Sequence, residues 1–305
     1  MTLGRSSGIL AVAMAMAFAG PAATAGQPGK ASSVRLETGV RYWYSTGDFG
    51  KKLHYADSDG LYSQLVYDHL DGQTGEIFFR ADHVPSGWFV KGNAGGGVIE
   101  RGELIDEDFP PSATYSKTTS EQHGGDLAYF TLDVGRDFVR TADYDVGLFG
   151  GYNYFHEFVG VYGCTQLAAP GSGVCEPAIS TGIETIEEDA DWHSLRLGLS
   201  GRSRPADWVT LNLEAALIYS YLDAVDHHLL RSDINPTPET GWGPGLQLEA
   251  VADFRLNDRL GLGIGARFWQ FTSRGIAHFP NGYDAGKNIT WSQRLGVFVQ
   301  LGLAL

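Results

Sequence analysis

The sequence predicts an all-β fold, a ten-stranded antiparallel transmembrane β-barrel with long extracellular loops, and three observations predict it. The first is the C-terminal stretch, where Ile289, Trp291, Leu295, Val297, Val299, Leu301, Leu303 and Leu305 fall on one side and Thr290, Ser292, Arg294, Gln300 and Gly302 on the other. Successive strand side chains point to opposite faces, so this is a strand with one apolar and one polar or small face, longer than a soluble sheet ordinarily uses. The second is the N-terminus. Arg5 supplies a basic start, residues 9–19 an apolar run and Ala23-Thr24-Ala25 a small-residue cleavage site, so residues 1–25 read as a signal peptide and residues 26–305 as the exported barrel domain. The third is that no later segment offers the roughly 20 continuous apolar residues of a spanning helix, while alternation recurs throughout. In lipid every backbone polar group must be paired, which closed strand pairing achieves.

In chain order, the first stave is residues 34–44, with Val34, Leu36, Val40, Tyr42 and Tyr44 on one face and Arg35, Glu37 and Arg41 on the other. Nine more alternating segments follow, near residues 62–81, 88–99, 127–138, 144–158, 192–202, 209–221, 246–256, 260–271 and 289–305. Short connections rich in Pro, Gly, Asn or Asp, at residues 83–87, 140–143, 203–207 and 257–258, suit the periplasmic end. Longer ones, at about 45–61, 100–126, 159–190, 222–245 and 272–288, are expected to face outward as loops. Arg35, Glu37, Lys91, Glu214, Glu249, Asp253, Arg255 and Arg267 fall on the non-lipid side, and a ten-stranded lumen is narrow enough for opposite charges to pair across it. That predicts a plugged barrel, with a small water-filled pore as the alternative.

Composition agrees: the 41 glycines and 12% aromatic content suit packed strands with interfacial Tyr and Trp. A net charge of -14 argues against nucleic acid and favours basic partners. Cys164 and Cys175 share one polar, Gly/Pro-rich stretch of an exported chain and lack CxxC spacing, so they read as a loop disulfide; no metal site is expected.

Two polar constellations bear on chemistry. Asp106 and Asp108 stand two apart, so in an extended backbone they share a face, and two carboxylates held close cannot both ionise easily. Such a couple can hold and polarise a water. Asp226 and His228 share a face in the same way, which lets the carboxylate orient the imidazole as a general base for water, while His227 points the other way. Each motif alone is commonly a solvated surface. Together, one follows the third stave and the other the seventh, nearly opposite across the mouth. No Ser, Cys or Thr stands beside a base in a nucleophile arrangement, which leaves activated water as the attacker.

The ordered set Tyr62-Ser63-Gln64-Leu65, residues 102–109 (GELIDEDF), Gly198-Leu199-Ser200-Gly201 and Asp226-His227-His228 resembles the omptins, outer-membrane proteases built as ten-stranded barrels, over nearly the whole exported chain. The resemblance implies a catalytic Asp106/Asp108 couple and an Asp226/His228 couple with a water between them, and it matches His123 to a family histidine near the groove. The chain departs from the family pattern at Ala224, where an acidic groove residue is usual; Asp223 or Asp48 are the candidates to substitute. Residues 152–156 (YNYFH) lack the Glu and Arg through which the family binds lipopolysaccharide, which puts that dependence in doubt, and no other cofactor is expected. Leu305 stands where such barrels usually end in an aromatic residue, and the disulfide-capable third loop is not part of the common pattern. The expectation is therefore a monomeric outer-membrane endopeptidase, partnered by membrane lipid and by exposed peptides attracted to acidic loops containing Glu103, Glu107, Glu184, Glu187 and Glu188. The alternatives are a catalytically silent barrel acting as adhesin or structural element, and a small pore.

Overall fold

Alternation carries each stave farther than a bilayer requires. The computed structural model describes residues 33–55, 60–109, 115–168 and 175–305, and the expected signal peptide lies outside them. Among the described residues ten strands form, β1 (Val34–His54), β2 (Leu61–His83), β3 (Trp88–Asp108), β4 (Ser116–Arg140), β5 (Tyr144–Ala168), β6 (Ile179–Ala206), β7 (Val209–His228), β8 (Thr237–Arg255), β9 (Leu260–His278) and β10 (Asp284–Ala304). Each pairs antiparallel with its sequence neighbours, and β1 pairs with β10 to close the ring. Closure leaves no unpaired edge, the condition for putting sheet into lipid.

The outer surface separates into zones. Val40, Ile77, Leu132, Leu195, Leu197, Leu213, Leu217, Ile264, Leu295 and Val297 point outward and stay exposed, forming an apolar belt. Aromatic residues border it at both ends, with Tyr44, Tyr219 and Trp242 above and Trp88, Tyr144 and Trp208 below. That banding is what a hydrocarbon slab with two interfaces selects. A tilted strand crosses the slab in roughly 9–11 residues. The shortest strands here have 19 residues and the longest 28, so the upper half of the barrel stands clear of the membrane.

Those upper halves correct the expectation of long loops. Most of residues 45–61, 100–126, 159–190, 222–245 and 272–288 is strand, and the strand ends bracket only residues 55–60, 109–115, 169–178, 229–236 and 279–283. The alternation is still there, but it no longer contrasts apolar with polar. On β4, Ser116, Thr118, Ser120 and Gln122 are buried inward while Lys117, Thr119 and Glu121 face out, a polar strand on both sides because its outer face meets water. Hydropathy alone cannot see such a strand.

The lumen is filled, in layers. Arg41 reaches Glu76 (2.9 Å) and Glu249 (3.1 Å), and Arg267, fully buried, reaches the same two carboxylates at 2.7 and 2.6 Å. Lys91 bridges Asp133 (3.5 Å) and Glu214, and Arg35 reaches Asp82 at 2.9 Å. Asp253 accepts from Gln300 Nε2 (2.6 Å), whereas Arg255 sits exposed at the end of its strand. Above this layer Trp43, Tyr129, Trp269, Phe155, Phe271 and Trp192 pack edge-on and stacked into an aromatic floor. A Cβ at Gly296 would collide with the Tyr44 carbonyl oxygen and the Trp43 indole nitrogen, so glycine there is what admits Trp43 to the axis. Arg294 then caps the floor, donating to Glu157 Oε1 (2.5 Å) and the Leu70 carbonyl (2.9 Å). The barrel mouth is built on this platform.

Candidate active site at the barrel mouth

Strand parity decides which upper side chains enter the mouth. On β3 the inward set includes Leu104, Asp106 and Asp108, and on β7 it includes Ala224, Asp226 and His228. The two strands are separated by β4, β5 and β6 on one side of the ring and by five strands on the other, so the pairs confront each other across the opening. Asp106, Asp108, Asp226 and His228 line one cavity of about 150 Å³, whose walls are otherwise largely apolar, with Leu53, Leu65, Leu104, Ile186, Leu230 and Phe279 among them.

The electrostatics assign different roles to the two pairs. Burial, then the neighbouring Asp108 charge, pushes the Asp106 carboxyl up to about 7. Its Oδ1 is buried with no hydrogen-bond partner, an acceptor held toward the cavity. His228 Nε2 lies 3.3 Å from Asp226 Oδ1. Burial opposes charge on His228, but Asp226 outweighs it and raises the imidazole above its ordinary value. Burial likewise works against the Asp226 carboxylate, yet His228 and Lys51 hold it well below the usual range. A strong carboxylate thus faces a strengthened base, opposite an acid that titrates near neutrality. The backbone N–H of Arg231 donates to the His228 carbonyl oxygen (2.9 Å), closing the turn that ends β7 and fixing the ring's root.

Two consequences can be measured. Asp108→Asn removes the like charge and should lower the Asp106 midpoint from about 7, read by carboxyl ¹³C titration; an unmoved midpoint would mean the two acids do not sense each other. Because the folded value of Asp106 exceeds the ordinary 3.8, its contribution to stability is complete below that pH and is lost as pH climbs through about 7. Asp106→Asn should therefore raise the unfolding temperature at about pH 8, with the gain shrinking on acidification.

The three residues offered for the groove lie elsewhere. Asp48 is on the outer wall, where Gln293 Nε2 donates to its Oδ2 at 2.6 Å. His123 is exposed on the outer face of β4, its Nε2 2.8 Å from Glu121 Oε2. Asp223 is exposed on the outer face of β7, one residue out of phase with Ala224 and Asp226. The reason is common to all three: the inward/outward period of two continues above the membrane, so the parity that admits Asp226 excludes Asp223. His227 points outward as expected, with Nδ1 3.0 Å from Asn235 Oδ1. Glu188, expected on the acidic rim, instead faces inward and is buried.

Sequence reading also missed Lys51 and Glu239. Lys51 is fully buried beneath Asp226, and its Nζ lies 3.1 Å from Asp226 Oδ2, 2.8 Å from Glu239 Oε1 and 2.5 Å from Glu188 Oε2. The signal was available in parity, since Lys51 is in phase with Arg41 and Trp43 once β1 is allowed to run through residues 45–54.

Outside the mouth, His156, Asp189 and Asp191 bring potential metal-ligand atoms within 4.8 Å of one another on the outer wall. The ring is itself ringed by acid, with Asp191 Oδ1 2.9 Å from Nδ1 and Asp126 Oδ1 3.4 Å from Nε2, which suits an imidazolium. Cys164 and Cys175 are bonded, with Cα atoms 5.6 Å apart, and both line the mouth cavity, so the bridge holds one wall of the cleft. Replacing both with serine should lower stability by about 2–3 kcal/mol in denaturant titration, from the loss of loop closure.

A closed, lipid-banded ring of ten antiparallel strands carrying a cavity with four ionisable side chains on the upper rim defines the class of this molecule: an outer-membrane β-barrel fold. Within that class, the chain is similar to the outer membrane protease OmpT from Escherichia coli, with a TM-score of 0.69 at 13% sequence identity over 89% of this chain and 97% of that one. Weaker likenesses are to the outer membrane protein OprG from Pseudomonas aeruginosa (TM-score 0.35, 12% identity, 89% of this chain and 95% of that one) and to the translocator domain of autotransporter NalP from Neisseria meningitidis (0.35, 13%, 85% and 88%). No protein-family model and no curated protein matches the chain. Identity this low carries the architecture, an OmpT-like barrel; chemistry has to be argued from the side chains.

Proposed function

We propose that the protein is an outer-membrane endopeptidase that hydrolyses exposed peptides with a water activated between Asp106/Asp108 and the Asp226–His228 dyad. The observation that carries the reading is the meeting of these four side chains in one cavity, on strands that the rest of the fold holds rigidly apart. The likeness to the protease OmpT supports it.

His228 Nε2 stands 3.3 Å from Asp226 Oδ1, and the tautomer protonated on that nitrogen leaves the Nδ1 lone pair for a water held by the aspartate couple. His228 takes one proton as the oxygen attacks the scissile carbonyl carbon, and the resulting imidazolium is stabilised by Asp226. Collapse of the tetrahedral species breaks the C–N bond, and His228 returns the proton to the leaving amine. Since the base must be neutral to act, a raised His228 value places the acid limb of the rate profile above 6.5. Substrate attraction follows from charge: a chain of net -14, with Glu103, Glu107, Glu184 and Glu187 near the mouth, draws cationic peptides.

The test is cleavage of a mixed peptide library by purified, refolded protein beside His228→Ala and Asp106→Ala. Cleavage by the parent alone is expected. Intact peptides in all three would leave a silent adhesin-like barrel, and conductance across a planar bilayer would favour a pore, against the layered ion pairs and aromatic floor that fill the lumen.

A further inference from the structure

A buried ammonium is expensive unless every proton on it meets an acceptor. Lys51 meets carboxylates from strands on the far side of the lumen, donating to Asp226 of β7 and Glu239 of β8 and lying in ion-pair contact with Glu188 of β6. Glu239 is in turn braced by Thr290 Oγ1 of β10, which donates to its Oε2 at 3.3 Å. The Tyr67 hydroxyl of β2, buried without a hydrogen-bond partner, borders the same cluster. Lys51 therefore does more than neutralise charge: it ties β1 to β6, β7 and β8 directly below the mouth.

Asp226 is the member that belongs to both layers. Its Oδ2 is taken by Lys51 at 3.1 Å, which turns Oδ1 toward His228 at 3.3 Å. A carboxylate has one torsion that sets where its two oxygens point, and the ammonium from below sets it here. We propose that Lys51 is a positioning residue for the Asp226–His228 dyad, holding Asp226 ionised and rotated so that one oxygen orients the imidazole. This rests on the peptidase reading. The charged or titratable neighbours of the dyad include Asp106 and Asp108 from β3, Lys51 from β1, Glu188 and Glu239 from β6 and β8, Tyr67 from β2 and Arg231 and Asp233 from the turn after β7. Among the described residues, Lys51 is the cation that touches Asp226 from beneath.

The role is distinguishable from mere structural support. Lys51→Met should lower kcat by about 10²-fold, with KM changed less than about twofold, because the attacking geometry is lost while the peptide-binding walls remain. Lys51→Arg, which keeps a cation able to bridge carboxylates, should recover to within about tenfold of the parent. Since Lys51 acts through Asp226, adding Lys51→Met to Asp226→Asn should cost less than about threefold more. Equal losses in both backgrounds, or a fully active Lys51→Met protein, would overturn the assignment. An activity-free readout runs alongside: ¹⁵N spectra of histidine-labelled protein should show the His228 Nε2–H hydrogen-bonded in the parent and in Lys51→Arg, and released in Lys51→Met. Should the parent cleave nothing, the peptidase reading falls, while an unchanged His228 spectrum in Lys51→Met would separately refute the positioning role.

Discussion

His228→Ala is expected to reduce kcat on a cleaved peptide by about 10²- to 10⁴-fold, the range spanned by loss of a general base. The loss should appear in kcat rather than KM, because in the proposed mechanism the imidazole acts on water rather than on the peptide chain. Asp226→Asn should fall in the same range for a different reason. The amide keeps the shape but cannot stabilise the imidazolium that forms as water is deprotonated, and it removes the interaction that raises His228. The residual activity of Asp226→Asn should therefore reach its half-maximum at a lower pH than the parent's. The double variant should be little worse than His228→Ala alone, since the two residues act as one unit. Steady-state rates of the refolded variants on one peptide check all three points, and independent, multiplying losses would separate the residues mechanistically.

Arg267→Met is expected to cost the barrel about 3 kcal/mol or more, the order found when one partner of a buried ion pair is removed. Arg267 is fully buried and answers both Glu76 and Glu249, so its loss leaves two carboxylates with Arg41 as their remaining cation. It also removes a guanidinium packed over Trp43 and Trp269, 5.0 and 4.9 Å from the ring centroids. Chemical unfolding in detergent micelles measures the change. Adding Glu76→Gln to Arg267→Met should return part of it, because the cost lies in the orphaned charge more than in the lost attraction. A pair of single variants with no such coupling would mean that the lumen layer is wet enough to screen its own charges.

How much of this was legible in the sequence depends on what each face touches. Through the membrane the outer face meets hydrocarbon, so Leu295, Val297, Val299 and Leu301 stand out against Arg294 and Gln300, and the staves can be read off directly. The periplasmic turns are legible for a related reason, since Pro, Gly and Asp mark them: strands end at His83, Arg140 and Arg255 as expected, while β6 runs on to Ala206 and moves the turn expected at 203–207 to residues 207–208. Above the membrane water replaces lipid and the contrast vanishes, which is why strand such as residues 116–126 reads as loop. That one difference explains the site residues as well. Asp106 with Asp108, and Asp226 with His228, were found because local spacing defines their shared face. Asp48, Asp223 and His123 have no parity to test them in segments that read as loop, and for the same reason Lys51 and Glu239 escape notice and Glu188 reads as a rim residue. Ion pairs between distant staves, such as Lys51 with Glu239, leave no local trace at all.

The most direct test of the central claim, a water-attack site assembled across the mouth, is the affinity for a tetrahedral mimic. In a peptide drawn from the cleaved library, the scissile amide is replaced by a phosphinate, and its binding is compared with that of the same peptide carrying an uncleavable reduced bond. Binding tighter by about 10²-fold or more is expected for the parent protein, with the advantage abolished in His228→Ala and Asp106→Ala. Equal affinity for the two peptides, or an advantage that survives in both variants, would contradict it.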